Sequence, residues 1–103
     1  MKLASYNIQY GIGLDGRYDL KRIADSIADA DIILLQEVTR GFSLNGAVDM
    51  VAELEALFPR HFSSFAAPCD VLLGIDETEG RAVERRLQFG NMVLSRWPML
   101  AIR

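Results

Sequence analysis

The chain has 103 residues, of which 50% are hydrophobic and 24% charged, and its net charge is -3. That length suits one small domain with a core, and the apolar share excludes a disordered tail. A pI near 5.0 excludes a sequence-wide basic field drawing the chain onto nucleic acid or an anionic membrane surface.

Cys69, the single cysteine, has no partner within the chain, so nothing marks a disulfide-stapled secreted scaffold. The N-terminal run MKLASYNIQYG carries one lysine, and Ser5, Asn7 and Gln9 interrupt its apolar residues. It therefore reads as neither signal peptide nor membrane anchor, and the expected location is cytoplasmic.

Lys2 to Tyr10 alternates as a strand, with Leu3, Ser5, Asn7 and Gln9 on one face. A glycine-rich turn follows, and then Asp19 caps a helix whose apolar positions Leu20, Ile23, Ala24 and Ile27 have helical spacing, ending near Ala30. Asp31 to Val38 is continuously apolar until Gln36 and Glu37, as expected of a buried parallel strand opening on a site at its C-terminal end. Strand, helix and strand make one crossover unit.

A second helix is expected after Asn45-Gly46, running to about Leu57 with Val48, Val51, Leu54 and Leu57 inward and Pro59 beyond it. His61 to Ala66 reads as a strand. Between Pro68 and Arg86 the pattern is poor: Val71 to Ile75 suits a short strand or a turn of helix, and Asp76 to Arg86 mixes four acidic with three basic residues, as in a solvated loop. Gln88 to Ser95 resumes as a strand, and Leu100 to Ile102 starts another. Four strands and two helices on one face would leave the other face needing a partner layer.

Two readings compete for the polar residues. Gly11-Ile-Gly13-Leu-Asp-Gly16 matches the G-x-G-x-x-G turn of dinucleotide-binding domains, with Glu37 downstream at the end of the second strand. Against it, Asn7 and Gln9 stand in a strand that should be apolar, and Asp15 puts a carboxylate where a pyrophosphate must sit. The rival reading starts from Asn7 and Gln36-Glu37 at the ends of otherwise apolar strands. Buried polar groups are costly unless satisfied, so their coincidence points to a site. A turn-forming role is the plain alternative for Asn7, disfavoured by a mid-strand position.

Ser5-Tyr6-Asn7, Leu35-Gln36-Glu37-Val38 and Phe89-Gly90-Asn91-Met92-Val93-Leu94-Ser95-Arg96-Trp97-Pro98 together resemble the three N-terminal signature blocks of the endonuclease/exonuclease/phosphatase superfamily, in the family's order and separation. The resemblance implies an α/β fold: the N-terminal half of a DNase I-like four-layer α/β sandwich, with a mixed sheet flanked by helices. Residues 1–103 would be the N-terminal part of a single domain whose C-terminal half is absent. It also implies a metal-dependent phosphoester hydrolase, whether nuclease, phosphodiesterase or phosphatase. Glu37 would be the Mg²⁺ ligand, with Mn²⁺ as the alternative ion, and Asn7 would lie beside metal and phosphate; both count as catalytic and metal-site residues. Arg96 would approach the substrate phosphate, Asn91 would contact it or cap its strand, and Arg40 would stand at the substrate rim. Gln36 would be structural.

The family's later histidine and aspartate blocks find no match, and His61, outside any block, reads as a surface or strand-edge residue. The implied partner is a phosphate ester, with nucleic acid unsupported by charge, no membrane, and self-association through the open sheet face. A non-catalytic interaction module using that face is the alternative from another class.

Overall fold

The structure is a computed structural model that describes residues 1–99. Strand β1 (Leu3–Asn7) leads through a turn into helix α1 (Leu20–Ser26), then strand β2 (Ile32–Arg40), helix α2 (Met50–Leu57), strand β3 (Phe62–Thr78) and strand β4 (Arg81–Ser95). The strands form one mixed sheet in the order β1-β2-β4-β3. β1 and β2 are parallel, as the crossover reading requires, while β4 runs antiparallel to both its neighbours. The strand expected at Leu100 to Ile102 lies outside the described residues.

Both helices start where a carboxylate caps them. The Asp19 side chain accepts from the Arg22 N–H, and the Asp49 side chain accepts from the Ala52 N–H. α1 ends earlier than its apolar spacing suggests. The Ser26 hydroxyl donates to the Ile23 carbonyl at 2.6 Å, and the chain then tightens, the Ile27 and Ala30 N–H groups bonding three residues back. α2 starts later than expected, because Ser43–Asn45 forms a separate short 3-10 turn and Gly46 and Ala47 are left-handed.

Ile33 and Leu35 on β2, and Met92 and Leu94 on β4, are 0% exposed beneath Leu20, Ile23 and Ala24 of α1 and Met50, Val51 and Leu54 of α2. Directly paired residues share a face, so the opposite face carries Leu3, Ser5 and Asn7, Ile32, Leu34 and Gln36, Asn91 and Val93, and Phe62. That face is open: Leu3 is 59% and Phe62 51% exposed. The chain thus supplies one helix layer and one sheet.

The segment expected as a solvated loop between Pro68 and Arg86 is instead a two-stranded ribbon, the distal part of β3 and β4. Its turn is the pair Glu79-Gly80, both with positive φ (54° and 75°), the geometry that matches the twist of a tight hairpin. The mixed charges that suggested a loop pair across the strands, Arg86 with Asp70 at 2.8 Å and Arg85 with Asp76 at 3.3 Å. Exposure on both ribbon faces erased the alternation that marks a half-buried strand. Where the ribbon meets the sheet, β3 presses on Gly90: a Cβ there would lie 1.9 Å from the Ala66 carbonyl oxygen.

Leu35→Ala should lower the unfolding free energy by about 2–5 kcal/mol, because it empties a fully enclosed position. Urea denaturation followed by circular dichroism measures this, and a loss below about 1 kcal/mol would contradict the core assigned here.

Candidate metal and phosphate site

β2 breaks register at Glu37. Gln36 pairs with Asn91 and Val38 with Gly90, so Glu37 is the extra residue of a β-bulge. Its φ of 58° is left-handed, an uncommon state for a side chain other than glycine, asparagine or aspartate. The bulge swings Glu37 out of the ladder at the C-terminal end of β2. Beside it, Asn7, Gln36 and Asn91 form one rung on the open face, since Asn7 pairs with Gln36 and Gln36 with Asn91. Adjacent strands are about 4.8 Å apart, so the three amides stand side by side on one rung, and Glu37 follows Gln36 directly in the chain.

Asn7 is exposed rather than buried, and it ends β1 rather than sitting mid-strand. Its Oδ1 accepts from the Gln9 N–H at 3.0 Å, an Asx turn. The turn-forming role is therefore realised, and it fixes the orientation of the amide through Oδ1. The polar groups of this sheet end are not buried, contrary to the expectation from sequence: Asn7 and Asn91 are exposed and Gln36 and Glu37 only half-buried. What sets them apart is the bulge and the shared rung. Gln36 is structural as expected: its carbonyl accepts from the Ile8 N–H at 3.1 Å, and its side chain reaches Ser5 Oγ at 3.4 Å.

The other two expected residues lie apart from this cluster. Arg96 follows Ser95, which pairs with Ile32 at the opposite end of β2, roughly 16 Å from Glu37 along the strand. There its guanidinium lies 3.5 Å from Asp31 and lines a cleft of about 360 Å³ with Lys21, Arg60 and His61. The cause is that β4 runs antiparallel to β2 and carries its C-terminus away from Asn91. Arg40 is at the correct end but pairs with Gln88, in the alternation of Met92 and Leu94 on the helix-covered face. Its guanidinium is held by Asp49 at 3.0 Å and lies 5.5 Å from the Phe65 ring centroid, which ties β2 to the cap of α2.

His61 also belongs to the far end. Its Nε2 lies 3.0 Å from the Ala30 carbonyl and its ring packs edge-on against Phe58. Among the described residues no group of three or more His, Cys, Asp or Glu side chains gathers as a ready metal cage. Glu37 fits a hard dication all the same. No lysine or arginine lies within ion-pair distance of it among the described residues, and Mg²⁺ is commonly held by one or two carboxylates with water completing the shell.

The glycine turn is closed against phosphate. Gly13 N–H donates to the Arg17 carbonyl, Gly16 N–H to the Gly13 carbonyl, and Gly11 packs so tightly on Tyr18 that a Cβ would meet its ring at 2.4 Å. The Tyr18 hydroxyl donates to Glu53 at 2.6 Å, and burial together with that carboxylate pushes its pKa up. Asp15 accepts from Arg22 at 2.9 Å, and this guanidinium holds its pKa down at about 2. A missed contributor is Asn45, buried at 7% exposure. Its Nδ2 donates to Thr39 Oγ1 and to the Tyr10 carbonyl, both at 2.9 Å. Only its place in an Asn-Gly pair was visible in sequence, and that signals a turn.

The fold and this sheet end define an α/β protein built around a carboxylate presented on a bulged strand. The endonuclease/exonuclease/phosphatase family profile matches residues 4–103, and the chain belongs to that family. Its members are hydrolytic enzymes of the phosphoesterase and nuclease type and typically use divalent metals. The structure is similar to that of an endonuclease/exonuclease/phosphatase from Beutenbergia cavernae, with a TM-score of 0.64 and 26% identity over 97% of this chain. This chain spans 27% of that protein's length. No curated protein matches. No helix among the described residues is long and apolar enough to cross a membrane.

Arg22→Ala should raise the Asp15 pKa from about 2 towards the ordinary 3.8, because the largest cause of the depression is the Arg22 hydrogen bond. Since a depressed carboxylate stabilises only while ionised, the native pair contributes above the unfolded pKa and is lost as pH falls towards 2. Carboxyl-carbon NMR titration reads the midpoint. An unshifted midpoint in the variant would contradict the ion pair.

Proposed function

We propose that this chain carries the metal-binding part of a divalent-metal-dependent phosphoester hydrolase, with Glu37 as the carboxylate ligand of Mg²⁺ or Mn²⁺. The observation that supports the reading is the left-handed bulge at Glu37, which takes this residue out of the ladder next to Gln36, the centre of the Asn7, Gln36 and Asn91 rung. Bulges next to active sites re-aim a side chain, and strained backbone persists where its surroundings hold it.

In this reading Glu37 would hold the metal ion, the amide of Asn7 would help orient the phosphoryl group of the substrate, and Asn91 Nδ2 would donate to a phosphate oxygen. The metal supplies Lewis-acid polarisation of the phosphoryl group. Donors fixed on strand ends need little reorganisation as charge develops in the transition state. Water attacks phosphorus and the ester P–O bond breaks. The group that takes the proton from water is not among these residues: His61, the sole histidine, sits at the far end of the sheet beside Ala30. The resemblance assigns that task to a histidine and an aspartate from later family blocks.

The acidic balance of the chain favours a small phosphodiester or phosphomonoester over long nucleic acid. A cytoplasmic location is consistent with the single cysteine. The second reading, a non-catalytic module that self-associates through its open face, draws on the exposure of Leu3 and Phe62. The two part on metal dependence.

In the natural protein, Glu37→Ala should lower Mg²⁺-dependent hydrolysis of bis(p-nitrophenyl) phosphate by about 10²–10³-fold, the scale of losing one transition-state electrostatic group. Retention of wild-type turnover would remove Glu37 from the chemistry.

A further inference from the structure

Two segments in left-handed backbone flank the rung: Gln9 and Tyr10 after Asn7, with φ of 46° and 47°, and Glu37 itself at 58°. Such conformations persist only where surrounding contacts fix both sides. On the N-terminal side of Glu37 the sheet ladder does this, helped by the Ile8 N–H on the Gln36 carbonyl. On the C-terminal side the contacts converge on one residue. Thr39 is 0% exposed; its N–H and hydroxyl both approach Met50 Sδ, at 3.3 and 3.1 Å, and sulfur is a weak acceptor. The firm partner is Asn45, whose Nδ2 gives one hydrogen to Thr39 Oγ1 and the other to the Tyr10 carbonyl. A single amide thus joins the 3-10 turn Ser43–Asn45 to both strained segments.

We propose that Asn45 is a positioning residue: its amide clamps the Tyr10 backbone to Thr39 and thereby sets the separation of Asn7 and Glu37. The inference rests on the Glu37 reading above. Only the donor half of the amide has a protein partner among the described residues. The nearby aromatic cluster closes the same corner, Tyr10 meeting Phe42 edge-on at 5.0 Å and Phe42 meeting Phe89 at 5.8 Å, so Tyr10 is held by packing as well as by the amide. Packing sets where the Tyr10 ring lies, whereas the carbonyl bond sets the backbone that follows Asn7.

The test is Mn²⁺ titration of the chain by calorimetry, with thermal unfolding measured in parallel. Asn45→Ala should weaken Mn²⁺ binding about tenfold or more, the scale of losing a group that orients a ligand. Leu54→Ala, at a fully buried position of α2, should lower the melting temperature at least as much with unchanged affinity. Thr39→Val should share the Asn45→Ala loss, and Thr39→Ser should restore wild-type binding, which keeps the test open if Asn45→Ala fails to fold. Wild-type affinity in Asn45→Ala and Thr39→Val, alongside lost binding in Glu37→Ala, would overturn the clamp while leaving Glu37 as ligand. Unchanged binding in Glu37→Ala would instead overturn the ligand assignment, and the clamp with it.

Discussion

The register of β2 is the constraint on which the other features depend. It pairs with β1 on one side and β4 on the other, and it places Ile33 and Leu35 under both helices at 0% exposure. A one-residue slip would turn both to the open face and bring Leu34 and Gln36 inward, so the core locks the alignment. With that alignment locked, and Val38 and Thr39 fully buried beyond it, the strand has one residue more than its partner between Gln36 and Val38. The surplus is Glu37. Its left-handed backbone is therefore a consequence of pairing on either side of it.

The elements around that end act as supports of different kinds. Arg40 fixes the cap residue of α2 through Asp49, and the Tyr18 hydroxyl reaches α2 through Glu53, so the loops after β1 and β2 are both moored to one helix. The exposed pairs contribute little stability, because solvent screens them and holding long side chains still costs entropy. Their effect is positional. The half-buried Tyr18 bond and the enclosed Asn45 amide matter more, since water competes less there.

Sequence alone disclosed the parts of the fold whose burial is one-sided or complete. The α1 spacing of Leu20, Ile23 and Ala24, the apolar run of β2 and the Gln88 to Ser95 strand all carry a period set by the core they meet. The distal ribbon was illegible because water touches both of its faces and its ordering information lies in cross-strand partners such as Asp70 and Arg86. Asn7, Glu37 and Asn91 were visible in the sequence as polar residues in apolar strands, and the ladder puts Asn7 and Asn91 on one rung with Gln36, the residue before Glu37. Arg96 and Arg40 lie apart from that rung for a common reason: strand direction and face depend on pairing partners, which a linear motif does not encode. The bulge was equally hidden, since Gln36-Glu37-Val38 reads as ordinary alternation until β4 supplies the missing count.

The account's central claim is that a divalent ion binds at the bulged end of β2. Paramagnetic broadening of backbone amide signals by substoichiometric Mn²⁺, in a protein labelled with nitrogen-15, tests it most directly. Broadening should centre on Asn7, Gln36, Glu37 and Asn91 and spare Ile32 and Arg96 at the other end of the sheet. Broadening centred instead on the acidic ribbon around Asp76 to Glu79, with Glu37 sharp, would contradict it.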